Sequence, residues 1–374
     1  MANVDYEKII ENEYEREFYK ETHEKILSYL KRVGKTTFWG IVRNVQGSDR
    51  RVLRLLNQMS LAGEITLRGV QISASGFNAD EISDKRVKVP SYGFNTYEKP
   101  SCLLFNLNKE YKKILSEMNK IAKSKPIPTF FYDQRPVTLT TTVKRAGYLD
   151  FKGDLHDKRI VLIGDDDLTS LAIGLTRKAR EVVVFDIDER LIDFINNISK
   201  KLNLNVHAYR YDLTKEIPSE FSGKFDVFLT DPTPNKIAFE LFISIGLNLL
   251  SEEGVGYVSF FPSHQSMSID FQKVLTERKV IITDMIPKFT EYDYIKHTYK
   301  EDDLKLLEKF DSKEERLSFY ENNTRFEVNS ETRRDIKILT GPEKIELLGK
   351  ATRKVLENPE LDPAFKLKSN KNGI

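Results

Sequence analysis

Cysteine is all but absent: Cys102 is the only one in 374 residues. That excludes a disulfide framework and any cysteine-based zinc site. Histidine is scarce as well, with five scattered residues, so no metal centre is expected. No apolar run approaches the roughly 18 residues that span a bilayer. The first residues, MANVDYEKIIENEYERE, are acidic and carry no apolar core, which is not the pattern of a secretory signal. An excess of one charge is missing too: 59 Lys and Arg face 57 Asp and Glu, for a net +2. The electrostatic case for a nucleic-acid coat protein therefore fails. With 18 Gly, 13 Pro, 40% hydrophobic and 31% charged residues, collagen-like, disordered and low-complexity chains are excluded. What is left is a cytoplasmic chain without membrane attachment, long enough for two domains and a sizeable core. Its Lys and Glu content is of the kind found in thermophiles.

Residues 5–33 have helical spacing, with Ile26, Leu27, Leu30 and Val33 on one face. A short helix is predicted over 36–45. A third, DRRVLRLLNQMSLAG, is capped by Ser48 and stopped by Gly63. Two short strands follow, EITLR and VQISA, around Gly69. Three helices and a hairpin in this order predict a winged-helix-like domain over 1–77. Such a domain reads DNA through its third helix, here the side bearing Arg50, Arg51 and Arg54. The acidic first helix and neutral total charge favour a part in assembly or at an active-site rim instead. Residues 78–150 read as a linker with one connecting helix near 108–124. From residue 157 strands and helices alternate, and the strands RIVLIG, EVVVFDID, NVHAYRYD, FDVFLTD, GVGYVSFF and VIITDMIPKF are nearly all apolar. Strands buried on both faces and joined by helices predict a Rossmann-like, doubly wound parallel α/β sheet over 151–340. TRFEV is a candidate late strand, and 341–374 a last helix with a flexible tail.

In an open α/β sheet, ligands bind at the carboxyl ends of the strands. Those ends are acidic here. The first closes on Gly164-Asp165-Asp166-Asp167, the second on Asp186 and Asp188, the third on Asp212, the fourth on Asp231-Pro232-Thr233-Pro234. Each acid also has an ordinary reading. Any one of the triplet could cap the next helix, Asp188 could cap ERLIDF, Asp212 could be a loop acid, and the proline loop could be a plain turn. Three adjacent acids exceed what one cap needs, because like charges repel unless a cation sits among them. An acid about twenty residues past the first loop suits ribose hydroxyls, which fits Asp186.

This spacing resembles the nucleoside-binding half of class I methyltransferases, with one departure. Those enzymes place glycines after the first strand so that backbone N–H groups can approach the carboxylate of S-adenosylmethionine. Aspartates stand there in this chain, and they would repel a carboxylate. They suit a donor without one, decarboxylated S-adenosylmethionine, and would draw a polyamine into the same crevice.

GDDDLTSLA (Gly164 to Ala172), DIDERL (Asp186 to Leu191), Asp231-Pro232, Phe289-Thr290-Glu291-Tyr292 and Tyr132-Asp133-Gln134 together resemble the branched-chain polyamine synthases, N4-bis(aminopropyl)spermidine synthases of thermophilic archaea and bacteria. The resemblance spans roughly residues 20–330 and extends to the domain order. The chain departs from the family at Thr233, where a second proline is usual, and in the RPVTLTTT segment after Gln134.

The resemblance implies an aminopropyltransferase. It would move the aminopropyl group of decarboxylated S-adenosylmethionine to the secondary amine of spermidine, as a homodimer and without a tightly bound cofactor. Asp166 is the implied proton-handling residue. Gly164, Asp165, Asp167, Asp186, Asp188 and Asp212 would hold the donor. Asp231, Pro232, Glu291, Tyr292, Asp133 and Gln134 would hold the acceptor. The competing reading is a methyltransferase that uses S-adenosylmethionine on an amine or a flipped base. A third is a transcription regulator whose acidic cluster holds no ligand.

Overall fold

A computed structural model of the chain describes residues 4–10, 13–45, 49–76, 106–233, 235–260, 265–292, 301–310, 320–340 and 343. Ser48, most of the expected linker, Pro234 and the last helix and tail fall outside them. Two compact units form. One comprises Met1–Pro100, Pro262–Ser268 and Glu291–Tyr320; the other comprises Ser101–Phe261, Ile269–Thr290 and Glu321–Ile374.

The first unit contains α1 (Glu13–Val33), β1 (Lys35–Thr37), α2 (Phe38–Asn44), α3 (Asp49–Leu61), β2 (Ile65–Arg68) and β3 (Gln71–Ala74). The long helix expected over 5–33 is interrupted, with a separate 3-10 turn at Tyr6–Lys8 before α1. The second expected helix begins two residues late because Lys35–Thr37 pairs with Gln71–Ser73 as a strand. Thr37 then caps α2, its hydroxyl accepting from Gly40 N at 3.1 Å. The three strands form an antiparallel sheet in the order β1-β3-β2. Phe18, Ile26 and Leu30 of α1 point inward and join Phe38, Trp39, Leu53, Leu56 and Met59 in one core. A late segment completes it. The helix Glu301–Phe310 of this unit buries Leu307 and Phe310 in the same cluster, and Arg54 binds its Asp303 with both arms, at 2.9 and 2.8 Å.

The second unit holds α4 (Lys109–Ile121), α5 (Leu139–Lys152), β4 (Arg159–Ile163), α6 (Thr169–Thr176), β5 (Glu181–Asp186), α7 (Glu189–Leu202), β6 (Val206–Arg210), β7 (Phe225–Thr230), α8 (Lys236–Leu249), β8 (Leu250–Phe260), α9 (Gln265–Glu277), β9 (Ile281–Glu291) and β10 (Tyr320–Glu327), with α9, β9 and β10 each crossing the unit boundary at one end; the late helix of the first unit is α10. The sheet order is β6-β5-β4-β7-β8-β10-β9. The first five strands are parallel, while β10 lies antiparallel to β8. The expected doubly wound sheet is thus present, with an antiparallel strand added. β4 and β5 are buried along nearly their whole length, which explains their unbroken Ile and Val. Strand order reverses between β4 and β7, and this switch point opens the crevice where ligands bind in such sheets.

Residues 109–152 are more than a connection. Tyr111, Ile114, Met118, Val143, Ala146, Tyr148 and Leu149 belong to the same core as β4 and β5. A helix over 139–152 was not expected, because three successive threonines obscure its start. Thr138 is the cap, accepting from Thr141 N at 3.2 Å, and Gly153 ends the helix in a left-handed conformation. Among the described residues, no helix is long and apolar enough to cross a membrane.

Candidate active site

The loop after β4 carries most of the unusual chemistry. Gly164 opens it with φ +73°, a conformation that costs glycine little and other residues much. Leu168 closes it with φ +58°, a strained value for a leucine, immediately before α6. Between them the three aspartates point to different partners.

Asp165 turns into the start of α6. It accepts from Thr169 N at 2.7 Å, from Ser170 N at 3.2 Å and from the Ser170 hydroxyl. One of the triplet is therefore the helix cap, and it is the first. Burial pushes its carboxyl up to about 8, opposed by these hydrogen bonds.

Asp167 faces the other way. Its Oδ1 accepts from Val137 N at 2.9 Å, and its Oδ2 receives Arg145 Nη1 at 2.5 Å. Burial raises its pKa, with Arg145 opposing.

Asp166 lies between them, and its Oδ2 is buried without a hydrogen-bond partner. Burial first, then the neighbouring charge of Asp167, holds its carboxyl well above the usual range, although Lys125 pulls it down. An unpartnered buried carboxylate oxygen costs free energy, which makes Asp166 a candidate for holding a ligand or a proton.

One pocket gathers Gly164, Asp165, Asp166, Asp167 and Asp231 with Arg145, Thr169, Tyr257, Ser259 and Asn323 over a floor that includes Leu149, Leu162 and Leu229. The Thr169 hydroxyl is a second buried polar atom there without a partner. Arg145 binds Asp231 through Nη2, and the same nitrogen donates to Ser259 Oγ at 3.0 Å and Thr290 Oγ1 at 3.4 Å. Deeper in this unit, Tyr257 donates to Asp154, which also takes Arg325 Nε at 2.7 Å.

The other sequence candidates divide. Asp186 stands beside the pocket. Its Oδ2 accepts from Asp165 N at 3.0 Å and its Oδ1 from Asp188 N at 2.9 Å, while burial raises its pKa. Asp188 is a cap rather than an open ligand. It holds Arg190 N at 3.0 Å, the Arg190 guanidinium at 2.6 Å and Gln134 Nε2 at 3.0 Å. Burial would raise its pKa, but the bonds from Arg190 and Gln134 outweigh it and the net shift is downward.

Gln134 is correspondingly a brace: its Oε1 accepts from Thr129 N at 2.9 Å. Neighbouring Asp133 takes a left-handed φ of +52°. Asp212 is a loop acid that closes a turn on Thr214, at 2.9 Å to its N and 2.7 Å to its hydroxyl. It does not line the pocket. Pro232 is buried directly after Asp231. Glu291 and Tyr292 belong to the first unit by chain segment, so only Thr290 of that motif is placed at the pocket's polar edge, 3.1 Å from Ser259 Oγ.

Sequence reading missed Arg145. Its signal was an arginine within the inward helical row Thr141, Arg145, Leu149, where only a paired charge is tolerated.

A doubly wound, mainly parallel α/β sheet with an acidic pocket at its switch point defines the class of protein that binds ligands at the carboxyl ends of its strands. Within that class the family model for the branched-chain polyamine synthase A C-terminal domain matches residues 113–347, more than half of the sequence. The chain belongs to the branched-chain polyamine synthase family.

It is similar to the N(4)-bis(aminopropyl)spermidine synthase of Methanocaldococcus jannaschii, 36% identical over 189 residues that cover 49% of this chain and 54% of that protein. The enzyme of the same name from Thermococcus kodakarensis is 35% identical over 187 residues, covering 49% and 53%. The chain thus spans about half the length of the curated relatives it matches. Its fold is similar to the crystal structure of the branched-chain polyamine synthase from Thermus thermophilus in complex with N4-aminopropylspermidine and 5'-methylthioadenosine. The TM-score is 0.68 at 23% identity, over 87% of this chain and 96% of that one.

Proposed function

We propose that this protein is an aminopropyltransferase that uses decarboxylated S-adenosylmethionine as donor and the secondary amine of spermidine as acceptor. The observation that carries the reading is the buried, unpartnered Oδ2 of Asp166 in a pocket lined by three other aspartates. Carboxyl groups gathered this closely disfavour the carboxylate of ordinary S-adenosylmethionine and favour a ligand with only positive charges, whose approach also draws off their protons. The similar proteins named above act on, or were crystallised with, molecules of that kind.

In this reading the spermidine nitrogen attacks the aminopropyl carbon next to the sulfonium. The new C–N bond forms as the C–S bond breaks, its electrons passing to sulfur, and neutral methylthioadenosine leaves. The amine must shed one proton. Asp166 accepts it, and the raised pKa makes it a stronger base than an ordinary carboxylate. In this scheme Asp186 takes the ribose hydroxyls. Asp231 and Asp167, already bonded to Arg145, shape the pocket's charge. No metal enters the scheme, since the sulfonium is itself a good leaving group.

For the first unit, the order helix, strand, helix, helix, strand, strand supports a winged-helix-like reading. The pairing of Arg51 with Glu15 at 3.3 Å and of Arg54 with Asp303 supports a role other than reading DNA.

The test is direct. Incubation with decarboxylated S-adenosylmethionine and spermidine should release methylthioadenosine and yield a branched polyamine, both measured by chromatography. Calorimetric titration should show much tighter binding of the decarboxylated nucleoside than of S-adenosylmethionine. Equal affinity, or methyl transfer from the latter, overturns the proposal.

A further inference from the structure

We propose that Arg145 is a positioning residue for this reaction: its single guanidinium ties the loop after β4 to the loop after β7 and keeps two carboxylates out of the proton transfer, leaving that role to Asp166. The inference rests on the function proposed above. Arg145 is 8% exposed and reaches four segments at once. Nη1 meets Asp167 after β4; Nη2 meets Asp231 after β7, Ser259 on β8 and Thr290 on β9. A planar, permanently charged fork can serve two carboxylates at fixed angles, which a lysine cannot do.

The charged groups around the pocket show why this matters. Asp165, Asp166 and Asp167 come from the loop after β4, Asp186 from β5 and Asp231 from β7; Lys125, before the loop to α5, and Arg145 are the cations that face them. Asp165 is occupied by the helix cap and Asp186 by two backbone N–H groups. Without the guanidinium, Asp167 and the half-buried Asp231 would lose their shared cation, and one of them would become a stronger base. That carboxylate would then compete with Asp166 for the proton of the amine.

Three variants test this, and the first measurement does not depend on activity. Thermal melting of wild type and Arg145→Gln is compared at about pH 5.5 and about pH 8.5. The variant should lose more at the higher pH, where the two orphaned carboxylates are forced to ionise. Adding Asp231→Asn to Arg145→Gln should recover part of that loss. An equal loss at both pH values, unrecovered by the second substitution, reduces Arg145 to packing and overturns the proposal.

Arg145→Lys keeps the charge but spans only one carboxylate, and it serves even if the glutamine variant does not fold. Its kcat should fall by about tenfold or more while KM for spermidine changes by less than about threefold. A raised KM with intact kcat would make Arg145 an acceptor-binding group and also overturn it. Should wild type release no methylthioadenosine, the function fails alone, and the melting comparison still decides whether Arg145 neutralises the pair.

Discussion

The two units treat charge in opposite ways. In the first, Arg51 and Arg54 of α3 are each matched by a carboxylate. Arg51 has Glu15 and lies 5.3 Å over the Phe18 ring, and Arg54 grips Asp303 with two nitrogens. In the pocket of the second, four carboxylates face Arg145, and the Oδ2 of Asp166 is buried without a hydrogen-bond partner. Matched charge fixes a structure, whereas unmatched buried charge is retained at a cost to stability and so points to use. The contrast teaches where to look for function in a chain whose net charge, +2, shows neither feature.

The sharpest way to break the contrast is Asp166→Asn. The substitution keeps the shape and removes the proton acceptor, so turnover should fall by about 10²–10⁴-fold, the range for a general base. Stability should hold at low pH and rise toward high pH, where the wild-type carboxyl is forced to ionise in a buried site. Spermidine-dependent release of methylthioadenosine, measured beside a melting curve, checks both. Near wild-type turnover would remove Asp166 from the mechanism.

Arg54→Ala is the matching experiment in the other unit. It strands Asp303, which is 5% exposed, and breaking a buried pair on one side costs ~3–5 kcal/mol. Chemical denaturation should show that loss, and Arg54→Met combined with Asp303→Leu should restore most of it. An unchanged midpoint for Arg54→Ala would mean that the pair is screened and that α3 has cations to spare for a ligand.

A smaller effect separates Asp165 from its neighbour. Its folded-state pKa, about 8 through burial, lies above the ordinary aspartate value near 3.9. The folded chain therefore holds a proton that the unfolded chain releases, and stability falls as pH rises from about 4 to about 8. Asp165→Asn caps α6 nearly as well as Asp and should flatten part of that slope. The raised carboxyls of Asp166, Asp167 and Asp186 contribute the rest with the same sign. Melting temperatures across this range, compared with wild type, give the answer; an unchanged slope would place the Asp165 pKa near its ordinary value.

How far the sequence led follows the same division. The strands of the large sheet were legible because burial on both faces demands unbroken runs such as RIVLI and EVVVF. The family motifs led to the pocket because three adjacent acids after Gly164 exceed what one helix cap needs. Sequence could not say which acid did what. Asp165, Asp166 and Asp167 are chemically identical, and their roles diverge only through orientation: onto a helix end, into the pocket, or toward Arg145. Asp188 and Gln134 looked like ligand groups but share one hydrogen bond and spend the others on Arg190 and Thr129. Their partnership spans 54 residues, and no local pattern encodes it. The same holds for Arg54 and Asp303, which are 249 residues apart. The helix bearing Arg145 was missed because consecutive threonines suppress helix propensity, which tertiary packing then overrides.

The smallest expected effect concerns Thr169, whose hydroxyl lines the pocket, buried and without a partner. A buried hydroxyl that bonds nothing in the protein is destabilising by ~1–3 kcal/mol relative to an apolar group of the same shape. Thr169→Val replaces it with a methyl and leaves the backbone N–H, which bonds Asp165 at 2.7 Å. If the hydroxyl only relieves packing, the variant melts slightly higher and binds donor as before. If it is held for the donor, the melting temperature still rises but affinity falls by about three- to tenfold, the worth of one neutral hydrogen bond of ~0.5–1.5 kcal/mol. Titration of methylthioadenosine and of decarboxylated S-adenosylmethionine into wild type and variant separates the two. Equal losses for both nucleosides put the hydroxyl at the nucleoside shared by donor and product. A loss for the donor alone puts it beside the aminopropyl arm. Unchanged affinity for both would leave Asp166 as the sole unpartnered group of the pocket with a functional reason to be there.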